Sequence, residues 1–456
     1  MENGKIKQLT MKEKVSYGLG DCSANVAVAM CSTFLTAYYT DTVGIAAAAV
    51  GTMMLLTRIF DGITDIFMGV IVDRTSTRWG KTRPWLLWTA PFMALALILL
   101  FHVPSGLSSG GKLLYIYLTY IFQSCIVYTA NNLPYNALLS RMTLNVNDRA
   151  SAASIRFVMT QITALIINAV TASFLATVGW FALSAVYGII IMVLLLLCFW
   201  GVKEHLDEDE ETGTVKAKKV PLNQALPALL KNRYFYIQAL LFLFLYIAVV
   251  STGSMIFYFC NIVLGNIGMI TLISIASTIP AMIVNLIMPQ LVKQYGKWKM
   301  MISGSVLMIL GSVIIGAAGA NVTVVMIGVA VKGFGMGPIM SGLFAMTADV
   351  VDYGEWKTGV RSEGLINSCT SFGMKVGIGV GAAVCTWIIA LGGYNGTAAV
   401  QSASAVNMIR FGFGYNGAII SGICLILCIM MNIDRYIVQI QADLENKRDN
   451  NRKVGE

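Results

Sequence analysis

Met192-Val193-Leu194-Leu195-Leu196-Leu197-Cys198-Phe199-Trp200 is apolar on every face. A half-buried strand would alternate polar and apolar side chains, and the spans of an outer-membrane barrel would do so in segments of about ten residues. A run apolar all round belongs inside a membrane helix, which needs about 20 such residues to cross a hydrocarbon core about 30 Å thick. Runs of that length recur outward in both directions, centred near Val28, Leu55, Phe92, Phe122, Ala164, Ile189, Tyr246, Ile279, Ile309, Gly333, Ile378 and Ile420, each bounded by charged, Gly or Pro punctuation. The chain is 57% hydrophobic and 12% charged, about half the charge of a soluble domain. This pattern predicts an all-α membrane protein of twelve transmembrane helices and excludes soluble, disordered and coiled-coil classes.

Charge orients the spans. Outside them, every Lys and Arg except Lys112 and Arg410 falls in the tails or in even-numbered connections if the chain starts inside. The positive-inside rule then puts both termini in the cytoplasm of a multi-pass plasma-membrane protein. Lys5, Lys7, Lys12 and Lys14 lead into the first span with no small-residue cleavage site, so the N-terminus reads as a retained cytoplasmic start. The net charge of +9 follows from this asymmetry and calls for no nucleic-acid partner; the lipid bilayer is the partner implied.

The longest polar connection divides the chain into a six-helix half over 1–202, a central loop over 203–232, a second half over 233–433 and a tail over 434–456. Trp79-Gly80-Lys81, after the second span, and Tyr295-Gly296-Lys297, after the eighth, form a weak internal repeat. Two six-helix bundles in parallel orientation, as in the major facilitator fold, fit this arrangement.

Several look-alikes fall away. Gly80-Lys81-Thr82 imitates a phosphate-binding loop, but Thr75 occupies the place of its first Gly. Gly333, Gly335 and Gly337 lie in an apolar span and read as close helix packing or a hinge in the tenth span, and the run Gly377, Gly379, Gly381 to Ala383 reads the same way. Nine cysteines without zinc-site spacing and only two histidines, His102 and His205, leave no metal centre other than a possible Na⁺ site. No nucleophile set is present, so no enzymatic activity, cofactor or obligate protein partner is expected.

A charge inside a span costs at least about 2.5 kcal/mol and marks a candidate functional site. Arg58, Asp61 and Asp65 fall within the second span, and the acids, four apart, share one helix face. Two acids against one base leave a net charge of about minus one, which a monovalent cation neutralises. Desolvation and mutual repulsion suit one acid to carrying a proton; both carboxylates with the Thr64 hydroxyl equally suit Na⁺. Asp21 and Asn25 in the first span, Tyr128, Thr129, Asn131, Asn132 and Asn136 at the end of the fourth, and Arg156 in the fifth supply a hydrogen-bonding surface for a hydroxyl-rich solute. In the second half Thr370, Ser371 and Lys375 share the eleventh span, and Lys332 lies in the tenth.

Six ordered motifs carry a resemblance: Tyr17-Gly18-Leu19-Gly20-Asp21, Tyr38-Tyr39-Thr40-Asp41, Arg58-Ile59-Phe60-Asp61-Gly62-Ile63-Thr64-Asp65, Arg78-Trp79-Gly80-Lys81, Asn132-Leu133-Pro134-Tyr135 and Ala348-Asp349-Val350-Val351-Asp352-Tyr353-Gly354-Glu355-Trp356. The whole chain resembles the glycoside-pentoside-hexuronide:cation symporters, a major facilitator branch that includes melibiose permease and the glucuronide carrier; Gly359 to Gly364 is similar to the latter. The resemblance implies that Asp61 and Asp65 bind the coupling cation, H⁺ or Na⁺, with Thr64 and Thr129 as neighbouring ligands. It implies substrate contacts at Asn25, Tyr128, Asn132, Asn136, Arg156, Thr370, Ser371 and Lys375. Coupling or gating falls to Asp21, Arg58, Arg78, Lys81, Asp349, Asp352, Glu355 and Arg361. Thr64 stands where melibiose permease has Asn, and Asn25 and Asn132 replace its sugar-site acids, while Arg156 and Lys375 keep its basic groups. The expected cargo is therefore a hexuronide such as a β-glucuronide. A neutral pentoside or oligosaccharide, or passive sugar facilitation, is the alternative.

Overall fold

A computed structural model describes residues 9–143, 145–204, 222–361, 363–396, 398, 400–444 and 446. Most of the expected central loop, 205–221, and the tail from 447 lie outside them. Helix α1 spans Met11–Met30 and runs on through wider turns at Cys31–Leu35 and Tyr38–Thr42; α2 spans Ala47–Arg74, α3 Arg83–Leu100, α4 Ser109–Ile121 and α5 Tyr128–Met142. They are followed by α6 (Val146–Gly201), the short α7 (Leu222–Leu230), α8 (Arg233–Tyr258), α9 (Met269–Tyr295), α10 (Lys297–Ala318), α11 (Val322–Thr358), α12 (Glu363–Leu391), α13 (Ala403–Phe413) and α14 (Tyr415–Met430). No strand occurs among the described residues.

Ten helices are long and apolar enough to cross a membrane among the described residues. The twelve-span reading is reached because α6 is broken at Gly179 (φ 78°, ψ 168°), giving two spans in one run, and because α1 crosses as a less hydrophobic helix carrying Asp21 and Asn25. Thr10 caps α1 in a reciprocal box with Glu13, satisfying two amide donors that a helix start leaves open.

The helices form two compact units: Met1–Lys216 with Ile256–Thr271 and Ile389–Ala405, and Ala217–Met255 with Leu272–Ile388 and Val406–Glu456. In the first, α1 lies against α6 so closely that a Cβ on Gly18 would stand 2.5 Å from Met159 Sδ, and against α5 so closely that one on Gly20 would stand 2.5 Å from the Tyr135 ring. Tyr258, from the end of α8, and Tyr394 also join this unit: Tyr258 and Thr40 share a 2.9 Å hydrogen bond, and Tyr394 donates to Asp41 at 2.8 Å. In the second unit the glycines of α11 are packing surfaces. A Cβ on Gly335 would collide with the Gly304 carbonyl, and one on Gly337 would lie 3.1 Å from Val284. Gly377 of α12 likewise seats against α8, where a Cβ would be 2.6 Å from the Leu243 carbonyl. Small residues of this kind let membrane helices approach backbone to backbone.

The aromatic-Gly-Lys repeat has a structural counterpart inside each unit. Gly80 (φ 105°) and Gly296 (φ 82°) take the left-handed conformation that Gly adopts without steric cost. In the first unit Glu204, just beyond α6, accepts from the N–H groups of Lys81 (3.1 Å), Thr82 (2.8 Å) and Arg83 (2.8 Å) at the start of α3. In the second, Asp434, just beyond α14, accepts from the Trp298 N–H at 3.0 Å at the start of α10. Each acid satisfies open amides at the positive end of a helix.

Candidate functional site

The first unit brings Arg58, Asp61, Thr64 and Thr129 together. Helix periodicity puts Arg58 one turn before Asp61, and Arg58 Nη1 lies 3.4 Å from Asp61 Oδ2. The turn Phe122–Val127 carries an extra residue, which rotates the face of whatever follows it; Thr129 then donates to Asp61 Oδ1 at 3.0 Å. Thr64 donates to the Asp61 carbonyl at 3.0 Å, so its oxygen keeps lone pairs for a cation while its proton is fixed. Asp61 is only 2% exposed, Arg58 is 19% exposed, and Arg58 Nε is buried without a hydrogen-bond partner. Arg58 and the Thr129 hydroxyl thus both hold the carboxylate in a low-dielectric setting. Asp65, one turn further on, is half-buried.

A second cluster gathers the residues expected to meet the sugar. Arg156 Nε pairs with Asp21 Oδ2 at 2.9 Å, and its Nη1 donates to Tyr17 Oη at 3.0 Å and to Asn136 Oδ1 at 3.1 Å. Tyr17 stacks on Tyr135 with centroids 4.7 Å apart and planes 10° from parallel, and Tyr135 donates to the Tyr17 carbonyl at 2.7 Å. Asn136 donates to Asn132, and Asn25 donates to the Asp21 carbonyl at 2.9 Å. Arg156 is therefore a charge already matched by Asp21. Tyr128 is half-buried and follows the same widened turn as Thr129.

In the second unit Thr370 is buried and donates to the Asn367 carbonyl at 2.8 Å; Ser371 is exposed and Lys375 half-buried, all on α12. Of the residues expected to gate, Arg361 reaches Asp352 (3.0 Å) and Glu355 (2.8 Å), and Asp349 pairs with Lys297. Arg78 lies over the Trp79 ring at 4.6 Å. Lys81 offers its backbone N–H to Glu204. These contacts each lie within one unit.

Sequence reasoning assigned no site role to Glu204, Tyr17 or Lys297, and it did not disclose the Lys14–Asp148 pair at 2.8 Å. For Tyr17 the signal was present in the Tyr-Gly-Leu-Gly-Asp motif. Glu204 reads as one more acid in a polar connection until the fold delivers three amides to it.

Comparison with known proteins bears on the family and the fold. The family profile described as MFS/sugar transport protein matches residues 16–435. An isoprimeverose transporter of Lactiplantibacillus pentosus is 34% identical, covering 95% of this chain and 91% of its own. A glucuronide carrier protein homolog of Escherichia coli (strain K12) is 32% identical over 85% of each. The crystal structure of nucleoside transporter NupG, 14% identical, matches with a TM-score of 0.67 over 92% of this chain and 98% of that one, a likeness of fold alone.

Proposed function

Because the chain belongs to the MFS/sugar transport protein family, we propose that this membrane transporter takes up a glycoside together with H⁺ or Na⁺ by alternating access. The observation that carries cation coupling is Asp61, a carboxylate 2% exposed in the second span with a second acid one turn away. In hydrocarbon such a group persists only if a positive partner neutralises it. The coupled ion competes with Arg58 for Asp61 and shares Asp65, Thr64 and Thr129. Linkage makes coupling reciprocal: whatever the cation adds to sugar affinity, sugar adds to cation affinity. Residues 1–202 and 233–433 are the halves that rock, with both termini cytoplasmic on the strength of the Lys and Arg distribution.

Asn25, Tyr128, Asn132, Asn136 and Arg156 are the sugar's partners on the first half; Thr370, Ser371 and Lys375 are those of the second. A hexuronide such as a β-glucuronide is the favoured cargo, since Asn at 25 and 132 removes acids that would repel it and a relative is a glucuronide carrier homolog. Two observations support a neutral pentoside or oligosaccharide as the second reading: Arg156 is matched by Asp21 at 2.9 Å, and another relative is an isoprimeverose transporter.

Proton and sodium fluxes recorded during uptake of a glucuronide, a xyloside and a galactoside into membrane vesicles test the reading. One glycoside is expected to accumulate with a stoichiometric ion flux, and Arg156→Ala, which strips partners from Asp21, Tyr17 and Asn136, to abolish its binding. Equilibration of every sugar without ion movement would leave a passive facilitator instead.

A further inference from the structure

Helix α11 seats its glycines against two neighbours in the second unit. A Cβ on Gly333 would collide with the Ser277 carbonyl of α9, and one on Gly342 would stand 2.5 Å from Met301 Cγ of α10. The hairpin of α9 and α10, turned at Gly296, therefore rests on α11 along both arms. Between the arms a groove of about 280 Å³ stays open, with Val284 and Leu291 of α9, Ser303 and Leu307 of α10, and Val331 and Phe334 of α11 along it. The rise from Val284 to Leu291 is about 10 Å, two turns of helix.

The chemistry of this groove selects its occupant. Ser303 is its one polar lining residue among the described residues, and that hydroxyl donates to the Met300 carbonyl at 2.8 Å. A hydroxyl-rich solute would find almost nothing to bond there, whereas a hydrocarbon chain buries apolar surface along its whole length. Ser303 is exposed and Phe334 is 42% exposed, so the groove opens on the outside of three helices long and apolar enough to cross a membrane.

Charge marks one end of it. Lys299, Ser303 and Leu307 follow at steps of four and share one face of α10, and Tyr295 follows Leu291 by four on α9. Lys299 and Tyr295 are both exposed, so an ammonium and a phenol stand where the groove reaches the Gly296 turn. The neighbouring charges are already engaged: Lys297 pairs with Asp349, and Asp434 accepts from the Trp298 N–H. Lys299 makes no ion pair among the described residues. A cation and an amphipathic aromatic at the end of an apolar groove complement an anionic lipid headgroup.

We propose that the groove between α9 and α10 binds one anionic phospholipid, with an acyl chain along Val284, Leu307 and Phe334 and the headgroup phosphate against Lys299 and Tyr295.

The test is native mass spectrometry of the purified full-length protein in detergent, titrated with phosphatidylglycerol or with phosphatidylcholine of the same chains. One ammonium near the membrane surface favours an anionic lipid about fivefold. The native protein is expected to bind one phosphatidylglycerol about that much more tightly than phosphatidylcholine, and Lys299→Gln to erase the difference. Leu307→Trp fills the groove and keeps the charge, so it is expected to lose the bound lipid of either kind. Lys293→Gln is the control: Lys293 is also exposed but lies two residues from Leu291, off the groove face, and its loss is expected to change nothing. Equal affinity of the native protein for the two lipids, an equal loss with Lys293→Gln and Lys299→Gln, or unchanged binding in Leu307→Trp overturns the proposal.

Discussion

Replacing Asp61 by Asn changes one charge and little else, because the amide keeps an oxygen for the Thr129 hydroxyl now 3.0 Å away. Two consequences differ in size. The first is for the coupling ion: a unit charge about 4 Å from a carboxylate at an effective dielectric near 20 is worth about 4 kcal/mol, so losing that carboxylate lowers cation affinity by about a thousandfold. The second is for the protein. Arg58, 19% exposed and with Nε already unpartnered, loses the acid at 3.4 Å, and breaking a buried pair costs about 3–5 kcal/mol. The lower end applies, since 3.4 Å is long for such a contact. Arg58→Gln with Asp61→Asn removes both charges and is expected to recover most of that stability without recovering coupling. The assay is uptake of labelled glycoside by energised vesicles, beside counterflow in de-energised ones and a thermal unfolding curve in detergent. Asp61→Asn is expected to abolish accumulation while counterflow survives. If that variant concentrates the glycoside as the native protein does, Asp61 does not bind the coupled ion.

Two further predictions concern the ion pairs and caps at helix ends. Glu204→Gln removes the charge from an oxygen pair that accepts from three amides and the Thr82 hydroxyl, and is expected to destabilise by about 2–4 kcal/mol; an unchanged Tm would mean the cap holds nothing. The Lys14 ammonium first, and the Leu9 N–H second, hold the Asp148 carboxyl below its ordinary range. A depressed carboxylate contributes stability that is present above its unfolded pKa, about 3.9, and is lost as pH falls through the folded value. The gap in unfolding temperature between the native protein and Lys14→Met should therefore be constant near neutrality and close only below about pH 4; a gap that closes between pH 6 and 8 would assign it to another group.

The architecture was legible because lipid acts on every face of a span. Hydrocarbon forces long unbroken apolar runs, so the span centres near Ala164 and Ile189 could be separated although α6 continues through both with only Gly179 out of helical geometry. The acids of the second span were legible for the complementary reason, that a charge there is rare enough to need a purpose. Pairing was not legible. Asp21 and Arg156 could each be seen as polar groups in spans, yet only the fold puts them 2.9 Å apart and turns a free positive charge for substrate into a matched one. Glu204 and Asp434 show the same limit in reverse. The Gly-Lys turns that they cap repeat visibly, while the acids themselves sit at unremarked ends of polar segments, because a capping role is defined by amides from a distant helix. A side chain's type tells what chemistry it can do; its counter-charge tells whether that chemistry is already satisfied. By that criterion Arg156, which the resemblance singled out, is the cation whose charge already has an acid beside it.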